Sequence, residues 1–465
     1  MADVEALRAL AESRGQGHLF AGWESLGSEE QDRLLSQVAE VDFDLVDAQR
    51  SLLGAEASAG ATRFEPPQLF GLGRDAAQEA AAAEAAAQGA EELASGRVAF
   101  LLVAGGQASR LGYDGPKGAF PVGPVSGRSL FEFHARRLLA AQARHGVTIP
   151  WYVMTSRAND GTTRDFFAEH GHFGLSPEQV VFFQQAMIPA LDLEGRILKA
   201  APDSLFLAPN GHGGTLAALA TSGALADARE RGIQTFSYFQ VDNALVRPAD
   251  PLFLGLHRQA GARMSSKVVA KSEPGEKVGV IGRVDGELGC IEYSDLPEDL
   301  REARDESGQL LFRAGNIAAH LIERDFVEEL TSGGLELPWH VARKRMKVVD
   351  PEGAPVEVDG VKFETFIFDA LGKSGESVTL EVDRALEFSP VKNREGVDSP
   401  ESARRDLCHL FAGWVGASGG ELPPAGDDGV VPVEVDPLLA EDEASFTVLD
   451  GPPRERTDAG DLYGA

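Results

Sequence analysis

The sequence predicts an α/β fold built on a mostly parallel sheet, and three observations predict it. Short apolar runs alternate with stretches of helical spacing between residues 97 and 392. The runs are apolar at consecutive positions, as in strands buried on both faces. Several stop abruptly at glycines, amides or an aspartate, and in open α/β sheets the ligand-binding groups lie beyond the carboxyl ends of the strands.

In chain order, residues 1–96 read as an N-terminal helical region. Val4, Leu7 and Leu10 share a helix face, Ser28 and Gln31 form a capping-box pattern ahead of Leu34, Leu35 and Val38, and Pro66-Pro67 interrupts the run. Residues 75–94 are rich in Ala and Glu, a strong helix-forming mixture with no chemistry of its own. Residues 97–392 form the expected central domain, with strands at 98–104, 151–155, 180–183, 235–241 and 267–270. Helices are expected at 129–143, 160–170, 216–231 and 251–260, and a small antiparallel insertion at 277–294. Residues 393–465 read as a small C-terminal domain, with a helix at 407–415, a Gly/Pro linker at 419–424 and a short strand at 430–435. Its acidic end, Glu441-Asp442-Glu443 and then Asp458 and Asp461, reads as a lid or a partly disordered tail.

The formal net charge of −30 over 465 residues argues against nonspecific binding to nucleic acid or to anionic membranes, which attract basic surfaces. Phosphate substrates would need a local positive pocket against that field. Cys290 and Cys408 are the only cysteines, too few for a disulfide framework or a zinc site and in keeping with a reducing compartment. No apolar stretch approaches the roughly 18 residues that span a bilayer, and the N-terminus lacks a signal-peptide pattern. The chain reads as cytoplasmic, with its oligomeric state open.

The most informative segment is residues 98–122, where the apolar run to Val103-Ala104 ends in Gly105-Gly106 and is followed by Arg110 and by Pro116-Lys117-Gly118. Glycines let backbone N–H groups approach a phosphate, and the two cations can offset its charge. The spacing is neither the G-x-G-x-x-G of dinucleotide folds nor a P-loop. Four further segments place polar residues after apolar runs. Gln184-Gln185 could read a nucleobase edge, since an amide both donates and accepts. Asn210-Gly211-His212-Gly213-Gly214 allows close backbone approach to a ring or sugar. Asp242-Asn243 follows a strand and suits either a magnesium ion or an Asx-turn. Ser389-Pro390-Val391-Lys392 carries a lysine in a Pro-fixed turn.

In order and spacing these segments resemble the eukaryotic-type UDP-sugar pyrophosphorylases, most nearly the UDP-N-acetylhexosamine branch. The resemblance runs from Gln16-Gly17-His18-Leu19 to about Trp414 and includes Trp151–Ser156, Gly315–His320 and Phe366–Asp369. It implies a central nucleotide-binding domain similar to the glycosyltransferase A fold, and the reaction UTP + sugar 1-phosphate ⇌ UDP-sugar + pyrophosphate. It further implies that Val103, Ala104, Gly105 and Gly106 contact the ribose and phosphates of UTP. Gln185 and Gly211 would read uracil, Lys117 and Lys392 would bind phosphates, and Asp242 would hold Mg²⁺. Gly279, Glu292 and Asn316 would line the sugar pocket, with Phe368 nearby. Ala108 and Ser109 stand where the family's loop usually has glycine and threonine, and Ala108 adds a Cβ where close approach or positive φ is wanted.

The residue types suit this chemistry independently. A sugar phosphate with a second pKa of about 6 is already ionised at neutral pH, so the attacking oxygen needs no general base. What remains is charge stabilisation, for which Arg110, Lys117 and Lys392 are the catalytic candidates. For the sugar, two features disagree. His212 stands where the N-acetylglucosamine enzymes carry asparagine and matches the Gly-His-Gly loop of glucose-1-phosphate uridylyltransferases, whereas Glu292-Tyr293-Ser294 matches the N-acetylhexosamine branch. The expectation is N-acetylglucosamine 1-phosphate. The alternatives are glucose 1-phosphate or a broad specificity, and a non-catalytic UDP-sugar binding protein.

Overall fold

The computed structural model describes residues 4–54, 63–350 and 353–464. Its contacts divide the chain into two compact units, one of residues 1–61, 185–217 and 335–369 and the other of residues 62–184, 218–334 and 370–465. This is a different division from the three successive stretches read in sequence.

In the first unit, helices Val4–Ser13, Ser28–Ala39 and Phe43–Leu53 precede a five-stranded sheet. Leu34, Val38, Phe43 and Val46 bury their side chains with Ile197, Leu205, Val361 and Phe363 of that sheet. Gln16 is fully buried, with its amide donating to the Gly195 carbonyl at 3.0 Å and accepting from the Ile197 N–H at 2.8 Å. The expected cap of the second helix is displaced by one residue. Gly27 is the N-cap, and its N–H donates to Glu30 at 2.8 Å, while Gln31 donates to the Trp23 carbonyl instead. The sheet's long hairpin pairs His340–Val349 with Pro355–Glu364, and no strand was expected there from sequence.

The second unit holds the expected sheet. Its strands are β1 (Val98–Val103), β2 (Trp151–Thr155), β3 (Val180–Gln184), β4 (Thr235–Gln240), β5 (Met264–Ala270), β6 (Ala314–Glu323) and β7 (Thr379–Val382). The order is β7-β5-β6-β4-β1-β2-β3, with the two-residue strand Leu69–Phe70 beyond β7. All neighbours pair in parallel except β6, which is antiparallel to both β5 and β4. The expected insertion is the hairpin Val280–Val284/Glu287–Ile291, joined to β6 by the pair Val280↔Gly315. Helices α1 (Ala76–Ala94), α2 (Leu130–His145), α3 (Asp160–Glu169), α4 (Pro251–Gln259) and α5 (Pro400–Ala417) cover the sheet. The stretch expected as one helix at 216–231 is two, Gly214–Thr221 and Ala224–Glu230, broken where Gly223 turns left-handed at φ +85°.

Helix α1 crosses α4 at near-backbone contact. A Cβ on Gly255 would lie 1.7 Å from the Ala85 carbonyl oxygen, and one on Gly89 would lie 1.8 Å from that of Pro251. Gly255→Ala should therefore lower the unfolding free energy by ~1–3 kcal/mol, as overpacking does, which urea denaturation checks.

The acidic end is ordered. Val433–Val435, Arg454–Thr457 and Gly460–Tyr463 form a three-stranded sheet, in which Glu434 pairs with Arg128 and Asp461 with Arg454. Glu434 accepts the N–H groups of Val125 and Ser126 at 3.0 and 2.9 Å, and Asp436 binds Arg128 and Arg136 at 3.0 and 2.7 Å. These pairs tie the segment to the loop after β1 and to α2, and the end read as a lid or a partly disordered tail carries the helix Glu443–Thr447 and the strands Arg454–Thr457 and Gly460–Tyr463.

Candidate functional site

The register aligns Val103 of β1 with Gln240 of β4 and with Met154 of β2, so the loops that follow these three strands leave the sheet along one edge. The loop after β1 is anchored through its carbonyls. Asn159, fully buried, donates to the carbonyls of Ala104 (2.8 Å) and Gly106 (3.3 Å), while its own oxygen accepts from the Ser156 N–H at 2.8 Å. Lys117 N–H also donates to Gly106 O, at 3.0 Å. Among the described residues, the N–H groups of Gly105 and Gly106 have no backbone acceptor, and no atom lies within 4 Å of where a Gly106 Cβ would be. Open donors of this kind suit phosphate oxygens. The concern over Ala108 is corrected. Its φ is −91°, its side chain is buried in the core, and its carbonyl accepts from Leu111 at 2.9 Å.

Arg110 projects from the short turn Ser109–Leu111 and is exposed. Lys117 lies 3.4 Å from Asp242, with both side chains mostly buried. The segment bearing Lys392 is lashed to the one bearing Asp242. Val391 N–H donates to the Asp242 carbonyl at 2.9 Å, Asn243 donates to Glu387 O at 2.8 Å, and Ser389 N–H returns to the Asn243 amide oxygen at 3.0 Å. The Lys392 ammonium sits 5.6 Å over the Phe388 ring. Asp398, which sequence reading did not single out, closes this turn by accepting the N–H groups of Lys392 and Asn393 at 2.7 and 2.9 Å. Burial raises its carboxyl above the usual range, with Asp242 adding repulsion and Lys392 opposing it.

Among the described residues no group of three or more His, Cys, Asp or Glu side chains could hold a metal by itself. Magnesium is commonly bound by one or two carboxylates together with substrate phosphates. Asp242, 3.4 Å from Lys117 of the loop after β1, fits a metal brought in on a polyphosphate better than a resident metal site.

The residues expected at the sugar converge within the same unit. Asn316 N–H donates to the Gly279 carbonyl at 2.9 Å, and its amide reaches the Cys290 sulfur at 3.8 Å. A Glu292 carboxylate oxygen lies 3.7 Å from where a Cβ of Gly279 would be. A bulge shapes this region. The pairing of β5 with β6 jumps from Lys267↔Ala319 to Val268↔Asn316, leaving Ile317 and Ala318 extra, with Ala318 left-handed at φ +53°. Asn316 Oδ1 accepts the Ala318 N–H at 2.9 Å and so closes the bulge.

Gln185, Gly211, His212 and Phe368 belong to the first unit. Gln185 is buried and donates to the Gly211 carbonyl at 2.6 Å and to Asn210 Oδ1 at 3.1 Å. Gly211 is left-handed at φ +83°, and a Cβ there would lie 2.3 Å from the Thr365 carbonyl, so the turn requires glycine. The His212 ring stacks on Phe366 (5.3 Å between centroids) and meets the edge of Phe368 (5.5 Å). Ile367 N–H donates to His212 Nδ1 at 3.2 Å. Burial, with His340 a second cause, pushes the imidazole down to about 4. It is therefore neutral near pH 7 and carries its proton on Nε2, as a donor.

The sequence-read residues thus fall into two groups. Gly105, Gly106, Arg110, Lys117, Asp242, Lys392, Gly279, Glu292 and Asn316 lie in the second unit, and Gln185, Gly211, His212 and Phe368 in the first. Asn159 and Asp398 were missed, whereas Asn243, read with Asp242 as a possible Asx-turn, accepts the Leu245 N–H at 3.2 Å. Asn159 and Asn243 each follow a strand end closely, the same signal that singled out Asp242.

Another buried histidine gives a pH-dependent stability. His134, fully buried, bonds the Val241 carbonyl at 3.0 Å through Nε2, and burial drives it down to about 3. An unfolded histidine titrates near 6.5. The unfolded chain therefore binds the extra proton between those values, and stability falls as pH drops below about 6.5. Thermal melts at pH 7, 6 and 5 should show a decreasing Tm, and His134→Leu should flatten the slope.

A family model described as UTP–glucose-1-phosphate uridylyltransferase matches residues 73–406. The UDP-N-acetylhexosamine pyrophosphorylase-like protein 1 of Xenopus tropicalis is 38% identical over 439 residues, covering 90% of this chain and 85% of that protein. The UDP-N-acetylglucosamine pyrophosphorylase of Saccharomyces cerevisiae is 36% identical, covering 92% and 93%. The Trypanosoma brucei uridine diphosphate N-acetylglucosamine pyrophosphorylase, solved in complex with an inhibitor, superposes with a TM-score of 0.82 at 27% identity, covering 96% of this chain and 94% of that one. A UDP-glucose phosphorylase from the same organism, at 17% identity and a TM-score of 0.61 over 92% and 87%, shares the fold.

Proposed function

The chain belongs to the UTP–glucose-1-phosphate uridylyltransferase family and is a nucleotidyltransferase, and from that premise we propose that it transfers uridylyl from UTP to N-acetylglucosamine 1-phosphate, releasing pyrophosphate. The observation that carries the reading is the assembly at the sheet's carboxyl edge. Open N–H groups at Gly105 and Gly106, the Lys117–Asp242 pair and the Lys392 turn lashed to Asp242 sit on neighbouring loops of one unit.

The ionised sugar phosphate oxygen attacks the α-phosphorus of UTP, a bond forms there, and the bond to the β-phosphate oxygen breaks. Two polyanions must approach and pyrophosphate must leave, so positive charge and positioning supply the acceleration. Arg110 and Lys117 take the charge that builds on the leaving pyrophosphate. Lys392 holds the α-phosphate or the incoming sugar phosphate. Asp242 is placed to hold Mg²⁺, which would neutralise phosphate charge when bound on UTP. Gln185 and the Gly211 backbone read uracil, and Gly279, Glu292 and Asn316 face the sugar. A reducing, cytoplasmic setting suits the two free cysteines.

The relatives named for N-acetylglucosamine or N-acetylhexosamine support the choice of sugar. His212 favours a second reading, in which glucose 1-phosphate is also used, because a neutral Nε2–H donor stands where the N-acetylglucosamine enzymes carry an amide. Pyrophosphate release should be measured with UTP and N-acetylglucosamine, N-acetylgalactosamine or glucose 1-phosphate. Turnover at least ~10-fold faster with N-acetylglucosamine 1-phosphate, about the discrimination one pocket contact gives, is expected. Equal turnover would establish a broad enzyme, and binding of UDP-sugar without any turnover would overturn the catalytic reading.

A further inference from the structure

A cavity of about 470 Å³ is lined in part by Leu245, Arg247, Pro248 and Ala249, which follow Asp242 in the chain, and shares no lining residue with the candidate substrate groups. That volume falls within the usual ~300–1,000 Å³ of small-molecule sites. Its apolar walls include Phe100 of β1, Leu245, and Phe411 and Trp414 of α5. Three arginines face the same space, Arg137 and Arg144 of α2 and Arg247. The acidic segment 441–443, which the proposed reaction does not use, forms part of the rim.

Two of the arginines are paired with that rim. Arg144 reaches Glu441 at 3.1 Å and Asp442 at 3.7 Å, and Arg247 reaches Asp442 at 3.6 Å. Arg137 differs. Its Nη2 donates to the Ala244 carbonyl at 2.7 Å, whereas its Nη1 is shielded from solvent and has no hydrogen-bond partner. Buried donors are rarely left unpaired, because each forfeits its hydration. Burial lowers the Arg137 guanidinium to about 10, with the Arg247 charge a second cause and Glu441 and Glu387 opposing the shift.

We propose that this cavity is a second ligand site, for a small molecule with a flat apolar body and one anionic group that pairs with the Arg137 guanidinium. The aromatic walls accept the ring, and the guanidinium fork accepts a carboxylate, sulfonate or phosphoryl oxygen. Helix α2 holds the chain on both sides of Asp242, through His134 on the Val241 carbonyl and Arg137 on the Ala244 carbonyl.

The test uses the full chain and 8-anilinonaphthalene-1-sulfonate, an aromatic monoanion, with fluorescence excited directly in the dye. It needs no assumption about the reaction catalysed. One saturable site is expected. Arg137→Leu should weaken binding ~10-fold or more, the worth of a charge-assisted hydrogen bond. Ala444→Trp, placed at an exposed rim position, should fill the cavity and weaken binding as strongly while leaving Arg137 intact. The uncharged analogue N-phenyl-1-naphthylamine should bind ~10-fold more weakly than the sulfonate. If Arg137→Leu fails to fold by circular dichroism, the rim variant and the uncharged analogue decide. No saturable binding, undiminished binding to Ala444→Trp, or equal affinity for the uncharged analogue overturns the proposal.

Discussion

Arg110→Ala should lower kcat by ~10³-fold or more, the scale on which an arginine stabilises charge in phosphoryl transfer, while the KM for UTP changes far less. Arg110 is exposed on its short turn and has no ion pair among the described residues, so its removal leaves no buried charge behind and should not move Tm. That separates it from Lys117, whose ammonium is already engaged with Asp242 at 3.4 Å. An interaction made only as charge accumulates on the leaving group affects kcat and kcat/KM together and leaves ground-state binding alone. Arg110→Lys should recover part of the rate, since it keeps the charge and loses the planar fork. Steady-state pyrophosphate release decides the matter. Equal losses in kcat and in UTP affinity would reassign Arg110 to simple nucleotide binding.

How much of this was legible in the sequence depended on whether the stabilising partners were local. Strands β1, β2 and β4 read correctly because strands buried on both faces are continuous apolar runs, as in Val98–Val103 and Trp151–Thr155, whereas β5 begins three residues before the expected 267–270, at the polar stretch Met264-Ser265-Ser266. The hairpin of His340–Val349 with Pro355–Glu364 did not, because Arg343, Lys344, Arg345 and Lys347 mask its alternation. The C-terminal segment misled for a related reason. Its acidity suited a lid or a partly disordered end, yet Glu441 and Asp442 pair with Arg144 and Asp461 with Arg454, and nearby Glu434 and Asp436 are buried against Val125, Ser126, Arg128 and Arg136, some three hundred positions earlier. A charge with a distant partner looks the same in sequence as a solvated one. At the candidate site the same limit applied. The glycines, cations and Asp242 stood out as residue types after strand ends. Asn159 acts through its side-chain amide on the carbonyls of another loop, Asp398 through its backbone carbonyl within its own turn, and the bulge at Ile317-Ala318 exists only in the pairing of two strands.

Asp242→Asn separates positioning from charge at the centre of the proposed reaction. The contact that holds the Lys392 turn uses the Asp242 backbone carbonyl, which accepts from Val391, and asparagine keeps that contact and the side-chain shape. The ion pair lost with Lys117 is mostly buried, so its loss should cost more than the ~1 kcal/mol of an exposed pair and Tm should fall measurably. Catalysis should suffer more. If Asp242 holds Mg²⁺ against the UTP phosphates, the neutral amide weakens the metal, and kcat should drop by ~10²-fold or more, since metal-borne charge stabilisation is worth several kcal/mol. The Mg²⁺ concentration for half-maximal activity should rise in the same variant, a readout that disturbed folding would not produce. The freed Lys117 ammonium works against the loss by binding phosphate more readily, so the KM for UTP should rise less than kcat falls. A variant with wild-type Mg²⁺ dependence and an unchanged kcat would place the metal elsewhere and leave Asp242 as the partner that holds Lys117 in place.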